Sequence, residues 1–147
     1  MKFGDRKIAG FTIIEMLIVL VIMGILAAAV LPTYQSSVSK ARRADGKSAL
    51  LDLGARSEKF FAQNSTYTTE ISGGSGLNLG RTTSSDGYYN LSIAACGGGT
   101  IARCYQITAA ATGAQSGDTE CSQLRLDNVG RKTSLNSSGG ATEYCWK

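Results

Sequence analysis

With 147 residues the chain has room for one domain and an extension, and its 18 glycines and 7% aromatic content imply a modest core with many loops. The formal charge of +4 is halved once the basic first ten residues are set aside, too small a surplus to argue for nucleic acid by composition alone. No histidine is present, which removes the commonest general base and metal ligand.

The first seven residues are polar and hold Lys2, Arg6 and Lys7. An apolar run follows. From Phe11 to Leu31 it has 21 residues, enough to span a bilayer. One charge, Glu15, interrupts it. A carboxylate at the centre of a membrane helix costs about 2.5–3.5 kcal/mol, and ionisable groups in such segments are functional by default. Two plain readings are open: a secretory signal peptide cut near Ala27-Ala28-Ala29, or an ordinary anchor helix. Glu15 sits badly in both. No second polar group is read close to it in sequence, so no catalytic role is expected.

A third reading uses every residue. Gly10-Phe11-Thr12-Ile13-Ile14-Glu15, behind a short basic leader and ahead of an apolar run, resembles the prepilin signal of the type IV pilins. The resemblance implies that a prepilin peptidase cuts after Gly10 and that the new amino group of Phe11 is methylated. Residues 1–10 are then a leader, 11–33 a transmembrane and filament-core helix, 34–64 its amphipathic continuation, and 65–147 a globular head. The resemblance also implies that Glu15 pairs with the N-terminal amine of a neighbouring subunit. A buried ion pair need not add stability, but an unpaired charge in apolar surroundings costs several kcal/mol. Glu15 therefore reads as a register device for subunit assembly.

The apolar run leads into a second helical pattern. Tyr34, Val38, Ala41, Ala49, Leu53 and Phe60 recur at multiples of a turn, broadened by Leu50 and Phe61. Lys40, Arg42, Arg43, Asp45, Lys47, Asp52, Arg56 and Glu58 supply a polar face, and the pattern stops near Asn64. Residues 12–63 as one helix would be about 78 Å long. Gly24 and Pro32 are its weak points, since proline removes a hydrogen bond and crowds the preceding turn. On these residues a simple kink and a stretch that unwinds in the assembled fibre stand as alternatives. Lys40, Arg42 and Arg43 are expected to meet lipid headgroups before assembly, or acidic neighbours in the filament.

After residue 64 the composition turns to Ser, Thr and Gly, with Gly73-Gly74-Ser75-Gly76 as a loop. Three alternating segments follow: residues 88–94 with Tyr89, Leu91 and Ile93 on one face, then Tyr105, Ile107 and Ala109, then Leu124 and Leu126. They predict three strands of a half-buried antiparallel sheet. The fold class is α+β, a long N-terminal helix with its apolar half protruding and its second half packed on a β-meander, as in the pilin roll.

All four cysteines lie in the last third, without a CxxC pair, so two disulfides are expected rather than a zinc site. Four cysteines allow three connectivities. Cys96 and Cys104 flank the loop between the first two predicted strands, so a bridge there would close the hairpin. Cys121 and Cys145 would then join, similar to the disulfide-bounded C-terminal loop of type IVa pilins. Residues 118–130, the ending Glu143-Tyr144-Cys145-Trp146-Lys147, and Arg43-Ala44-Asp45-Gly46 resemble the PilE-type minor pilins, which are related to the ComP-type competence pilins.

No catalytic residues, metal ligands or cofactor are expected. Gly97-Gly98-Gly99 lies in a hairpin and not between a strand and a helix, as a phosphate loop requires. The candidate DNA contacts are Arg103, Arg131 and Lys132, with Tyr144 and Trp146 as stacking surfaces if their loops share one edge. The plainer reading of these residues is a solvated rim with a core-anchoring Trp. The resemblance implies a structural subunit of a type IV pilus, most like a minor pilin in assembly or initiation, supporting twitching motility, adhesion or DNA uptake. A type II secretion pseudopilin and a DNA-receptor pilin are the alternatives. Expected partners are other pilin subunits, the prepilin peptidase, the inner membrane before assembly and, as a candidate, DNA. No small-molecule substrate is expected. The implied location is the inner membrane for the precursor and then the pilus surface of a Gram-negative bacterium.

Overall fold

The computed structural model describes residues 10–147, without the side chains of residues 31–33. The leader expectation for residues 1–9 and the Pro32 side chain lie outside the described residues. The chain divides into two compact units, Met1–Val38 and Ser39–Lys147. Helix α1 (Ile13–Asn64) contributes to both.

In the first unit, the side chains from Phe11 to Val30 are exposed. By length and composition this stretch of α1 is apolar enough to cross a membrane. The helix is continuous through positions 24 and 32. The weakness read at Gly24 and Pro32 stays an expectation for the assembled fibre. Nothing approaches the Gly24 position within 4 Å, so no packing contact demands its lack of a side chain.

The second unit is a five-stranded antiparallel meander covered by the rest of α1. Its strands are β1 (Tyr89–Ala95), β2 (Tyr105–Ala111), β3 (Gln123–Asp127), β4 (Lys132–Leu135) and β5 (Ala141–Thr142), neighbours in space as in sequence. The inner faces of β1–β3 follow the alternation in the sequence: Tyr89, Leu91, Ile93, then Tyr105, Ile107, Ala109, then Leu124 and Leu126 are all buried. The expected three strands become five. β4 and β5 escape pattern reading because β4 presents a serine inward. Buried Ser134 donates its hydroxyl to the carbonyl of Thr142 on β5, which replaces apolar burial with a satisfied polar contact.

The helix faces this sheet with Gly46, Leu50, Leu53, Gly54 and Ser57. Two of these are glycines for a reason. A Cβ on Gly46 would stand 2.8 Å from the Tyr89 ring, and one on Gly54 would stand 3.2 Å from a Leu126 methyl. The backbone of α1 thus lies directly on the side chains of the sheet. Tyr34 and Ala41, expected in the apolar stripe, are exposed, and Asp45, expected on the polar face, is buried. The 65–86 segment also feeds the core through Tyr67, Ile71 and Leu77. Its turn is held by Leu77 N–H donating to the Glu70 carbonyl at 2.9 Å and by Leu79 N–H donating to that of Ile71 at 2.9 Å.

Two disulfides staple the unit, Cys96–Cys104 across the β1–β2 loop and Cys121–Cys145 from the start of β3 to the C-terminal turn Tyr144–Trp146. Gly99 packs on the first so closely that a Cβ there would overlap both sulfurs.

Candidate functional site

At the helix start, Thr12 and Glu15 form a reciprocal pair. The Thr12 N–H and hydroxyl both donate to Glu15 Oε2 at 3.2 Å, and the Glu15 N–H donates to Thr12 Oγ1 at 3.3 Å. This is a capping box, with Thr12 as N-cap and Glu15 three residues on. It satisfies two orphan N–H groups, and the negative charge lies at the positive end of the helix dipole, worth about 0.3–1 kcal/mol. Glu15, expected to have no polar neighbour in sequence, has Thr12 as its partner within the chain, at a Thr-x-x-Glu spacing that marks a capping box. Phe11 is 79% exposed immediately before it.

Arg42 and Arg43 are engaged inside the second unit. Arg43 makes a bidentate pair with Asp118, at 2.6 and 2.7 Å, with side chains only 11% and 4% exposed. Gln115 donates to the same carboxylate at 2.8 Å, and Asp118 also accepts the Cys121 N–H at 3.2 Å. The Asp118 hydrogen bond lifts the Arg43 guanidinium above its ordinary value, against the opposing effect of burial. Arg42 donates to the Ala114 carbonyl at 2.7 Å and lies 4.9 Å over the Tyr88 ring. The acidic neighbour of Arg43 is therefore in its own chain, which corrects the headgroup expectation for both arginines. Lys40 remains exposed.

Strand register decides where the candidate DNA contacts go. β1 and β2 pair with Ala95 opposite Tyr105, and β2 and β3 with Gln106 opposite Asp127. The loop carrying Arg103 and the β3–β4 turn carrying Arg131 therefore leave the sheet at the same end. The Asn128 N–H donates to the Tyr105 carbonyl at 3.2 Å, which ties the turn to the base of that loop. Arg131 is 72% exposed and 3.6 Å from Asp127. Lys132 lies 5.5 Å over the Trp146 ring, and the Trp146 indole N–H donates to the Thr133 carbonyl at 2.8 Å. Tyr144 does not join them. It engages Glu120, close to Asp118 and Arg43, near the start of β3 and so at the opposite end of the sheet. One ring face of Trp146 is occupied by a cation, so stacking on bases is not its evident role.

Residues 32–125 match the protein family described as type IV minor pilin ComP, DNA uptake sequence receptor. The chain belongs to this family. Residues 5–31 match the prokaryotic N-terminal methylation motif. The chain is 32% identical over 69 residues to type II secretion system core protein G of Dickeya chrysanthemi, covering 47% of this chain and 45% of that protein. It is 34% identical over 67 residues to the type IV major pilin protein PilA of Myxococcus xanthus, covering 46% of this chain and 30% of that protein. The chain spans less than half the length of these relatives. A solved type IV pilin from Shewanella oneidensis shares 20% identity and covers 64% of this chain and 89% of its own, with a TM-score of 0.45.

This ComP-family chain combines an apolar helical stretch long enough to cross a membrane with a head stapled by two disulfides. Sequence reasoning missed Lys47, on α1, as a neighbour of Lys132 and the last turn. Its ammonium donates to the Lys147 backbone oxygen at 3.3 Å. It is held below its ordinary value, first by burial and then by Arg43 and Lys132. Nothing local in the sequence links residues 47, 132 and 147; the fold of the sheet does. A groove of about 270 Å³ runs alongside, lined by Leu51, Glu58, Tyr105, Asp127 and Lys132 among others. Glu58 accepts the hydroxyls of Tyr67 and Tyr105 there, at 3.2 and 3.1 Å.

Proposed function

We propose that this chain is a minor subunit of a type IV pilus, cut after Gly10, methylated on Phe11 and assembled through Glu15, and that its head takes up DNA at the pilus surface. The observation that carries the DNA reading is the convergence of the Arg103 loop and the Arg131–Lys132 turn at one end of the sheet. The family description, which names a DNA uptake sequence receptor, supports it. Before assembly, the exposed apolar stretch of α1 would anchor the subunit in the membrane. In the fibre, Glu15 would exchange its Thr12 contacts for the amine of an adjoining subunit, and the segment from Gly24 to Pro32 would be free to unwind.

The test uses the full chain in non-ionic detergent with a short DNA duplex over a salt series. Cations that contact phosphates give a log–log slope of about −0.9 per contact. The wild-type chain should bind with a steep slope, and an Arg103→Gln/Arg131→Gln double variant should lower both affinity and slope. Absence of salt-dependent binding at low ionic strength would remove the DNA reading. Assembly is tested separately: Glu15→Ala should insert into membranes yet fail to enter fibres.

A second reading, a pseudopilin of a secretion filament, is favoured by the similarity to core protein G. Recovery of the chain from the periplasm alone, never from surface fibres, would select it.

A further inference from the structure

A second groove in the head, of about 450 Å³, lies between α1 and the turn that follows residue 70. Its helix wall is a matter of spacing. Asp52, Arg56, Lys59 and Gln63 recur every three or four residues, which sets them side by side on one face of α1. Leu77 and Asn78 belong to the other wall, and that wall is fixed. Leu77 is buried and its N–H donates to the Glu70 carbonyl at 2.9 Å, while a Cβ on Gly76 would overlap the same oxygen.

Arg56 joins the two walls. Its Nε donates to the two Asp52 carboxylate oxygens at 3.1 and 3.0 Å, and its Nη1 to the Leu77 and Asn78 carbonyls, both at 3.3 Å. The guanidinium is thus held through two of its nitrogens. Among the described residues its Nη2, the Lys59 ammonium and the side-chain amides of Gln63 and Asn78 have no hydrogen bond or ion pair. Phe60 and Leu77, both packed in the core, give the groove an apolar base.

These groups select a ligand by charge and by shape. Two cations against one carboxylate leave a single positive charge over. A ligand with one negative charge balances it, whereas a dianion or a run of phosphates would also meet Asp52, and like charges brought together cost affinity. The two amides both donate and accept, as neighbouring ring hydroxyls require. The volume lies within the range of small-molecule sites, about 300–1,000 Å³. The locked Arg56 has little freedom left to lose on binding.

We propose that this groove is a binding site for an acidic sugar, a hydroxylated ring bearing one carboxylate. Lys59 and Arg56 Nη2 take the carboxylate, and Gln63 and Asn78 take hydroxyls. The site is independent of the DNA reading.

The experiment titrates the full chain, in a polyoxyethylene detergent that carries no sugar, with galacturonate, galactose, galactose 6-phosphate and N-acetylalanine, read by ligand-observed NMR. Galacturonate should bind, and galactose about ten-fold more weakly, because charge-assisted hydrogen bonds are the strong ones. Lys59→Gln should weaken galacturonate by about ten-fold and leave galactose unchanged, and Lys59→Arg should keep the wild-type preference. Gln63→Ala should weaken both sugars alike. Thermal midpoints should not move for these variants, since neither side chain has a polar partner to lose. Galactose 6-phosphate binding as tightly as galacturonate would overturn the single-charge argument. N-acetylalanine binding as tightly would assign the groove to a peptide carboxylate and overturn the sugar. No binding of galacturonate at millimolar concentration, or wild-type affinity in Lys59→Gln, would refute the site.

Discussion

Adding one methyl group to α1 should have opposite consequences at two glycines eight residues apart. Each Gly→Ala change gains about 0.8–1 kcal/mol of helix propensity, because alanine loses less backbone freedom on folding. At Gly46 the new Cβ would meet Tyr89 Cδ2 and Cε2, both at 2.8 Å, and that ring is fully buried and has nowhere to move. Overpacking of this kind costs about 1–3 kcal/mol, so Gly46→Ala should destabilise on balance by up to about 2 kcal/mol. At Gly54 the contact is 3.2 Å from one Leu126 methyl, the far end of a flexible side chain. There the propensity gain should dominate, and Gly54→Ala should be neutral or stabilising. The assay is chemical denaturation of the full chain in detergent, followed by the near-ultraviolet dichroism of its tyrosines. Tyr89→Leu provides a coupling control: in that background Gly46→Ala should lose its penalty, since contacting residues are not additive. Equal stabilities for the two alanine variants would refute the account of how helix and sheet meet.

Alkali should unfold the head through its buried tyrosines. Burial pushes Tyr89 up to about 12 and raises Tyr105 as well, the latter reinforced by its hydrogen bond to Glu58. The folded state keeps these protons longer than the unfolded chain. Their contribution is therefore complete below about pH 10 and drains away as pH rises, about 1.4 kcal/mol by pH 11 for Tyr89 alone. Denaturation midpoints that stay level from about pH 9 to pH 11, with tyrosinate absorbance as the ionisation readout, would contradict the burial of these hydroxyls. Next to Tyr89, and linked to it through Gln115, Asp118→Ala should cost about 3–5 kcal/mol by leaving Arg43 buried without its anion, and Arg43→Met/Asp118→Leu should cost less than the single change. A double variant no more stable than Asp118→Ala would show that the ion pair is not the source of the loss.

What the sequence made legible was what repeats. The prepilin-like stretch, the long helix and the first three strands each announce themselves within a dozen residues, by motif or by alternation. The inner faces of β1, β2 and β3 follow that alternation residue by residue. The hidden parts depend on residues far apart in the chain. Arg43 and Asp118 are 75 positions apart, and nothing in either neighbourhood marks one as the partner of the other. Gly46 and Gly54 read as tolerated imperfections in a helix until the sheet supplies the ring and the methyl that require them. β4 is obscured for a related reason. Its inward position is Ser134, whose hydroxyl is satisfied by β5, so the strand carries no hydrophobic signal. The surroundings of the last turn are likewise a product of topology. Lys47, Lys132 and Trp146 become neighbours only because the meander brings β4 alongside α1 and Cys121–Cys145 returns the last turn to the sheet. The residues brought together in this head thus take their surroundings from the order of its strands. Recognition of the family from its first fifteen residues leaves those surroundings unread.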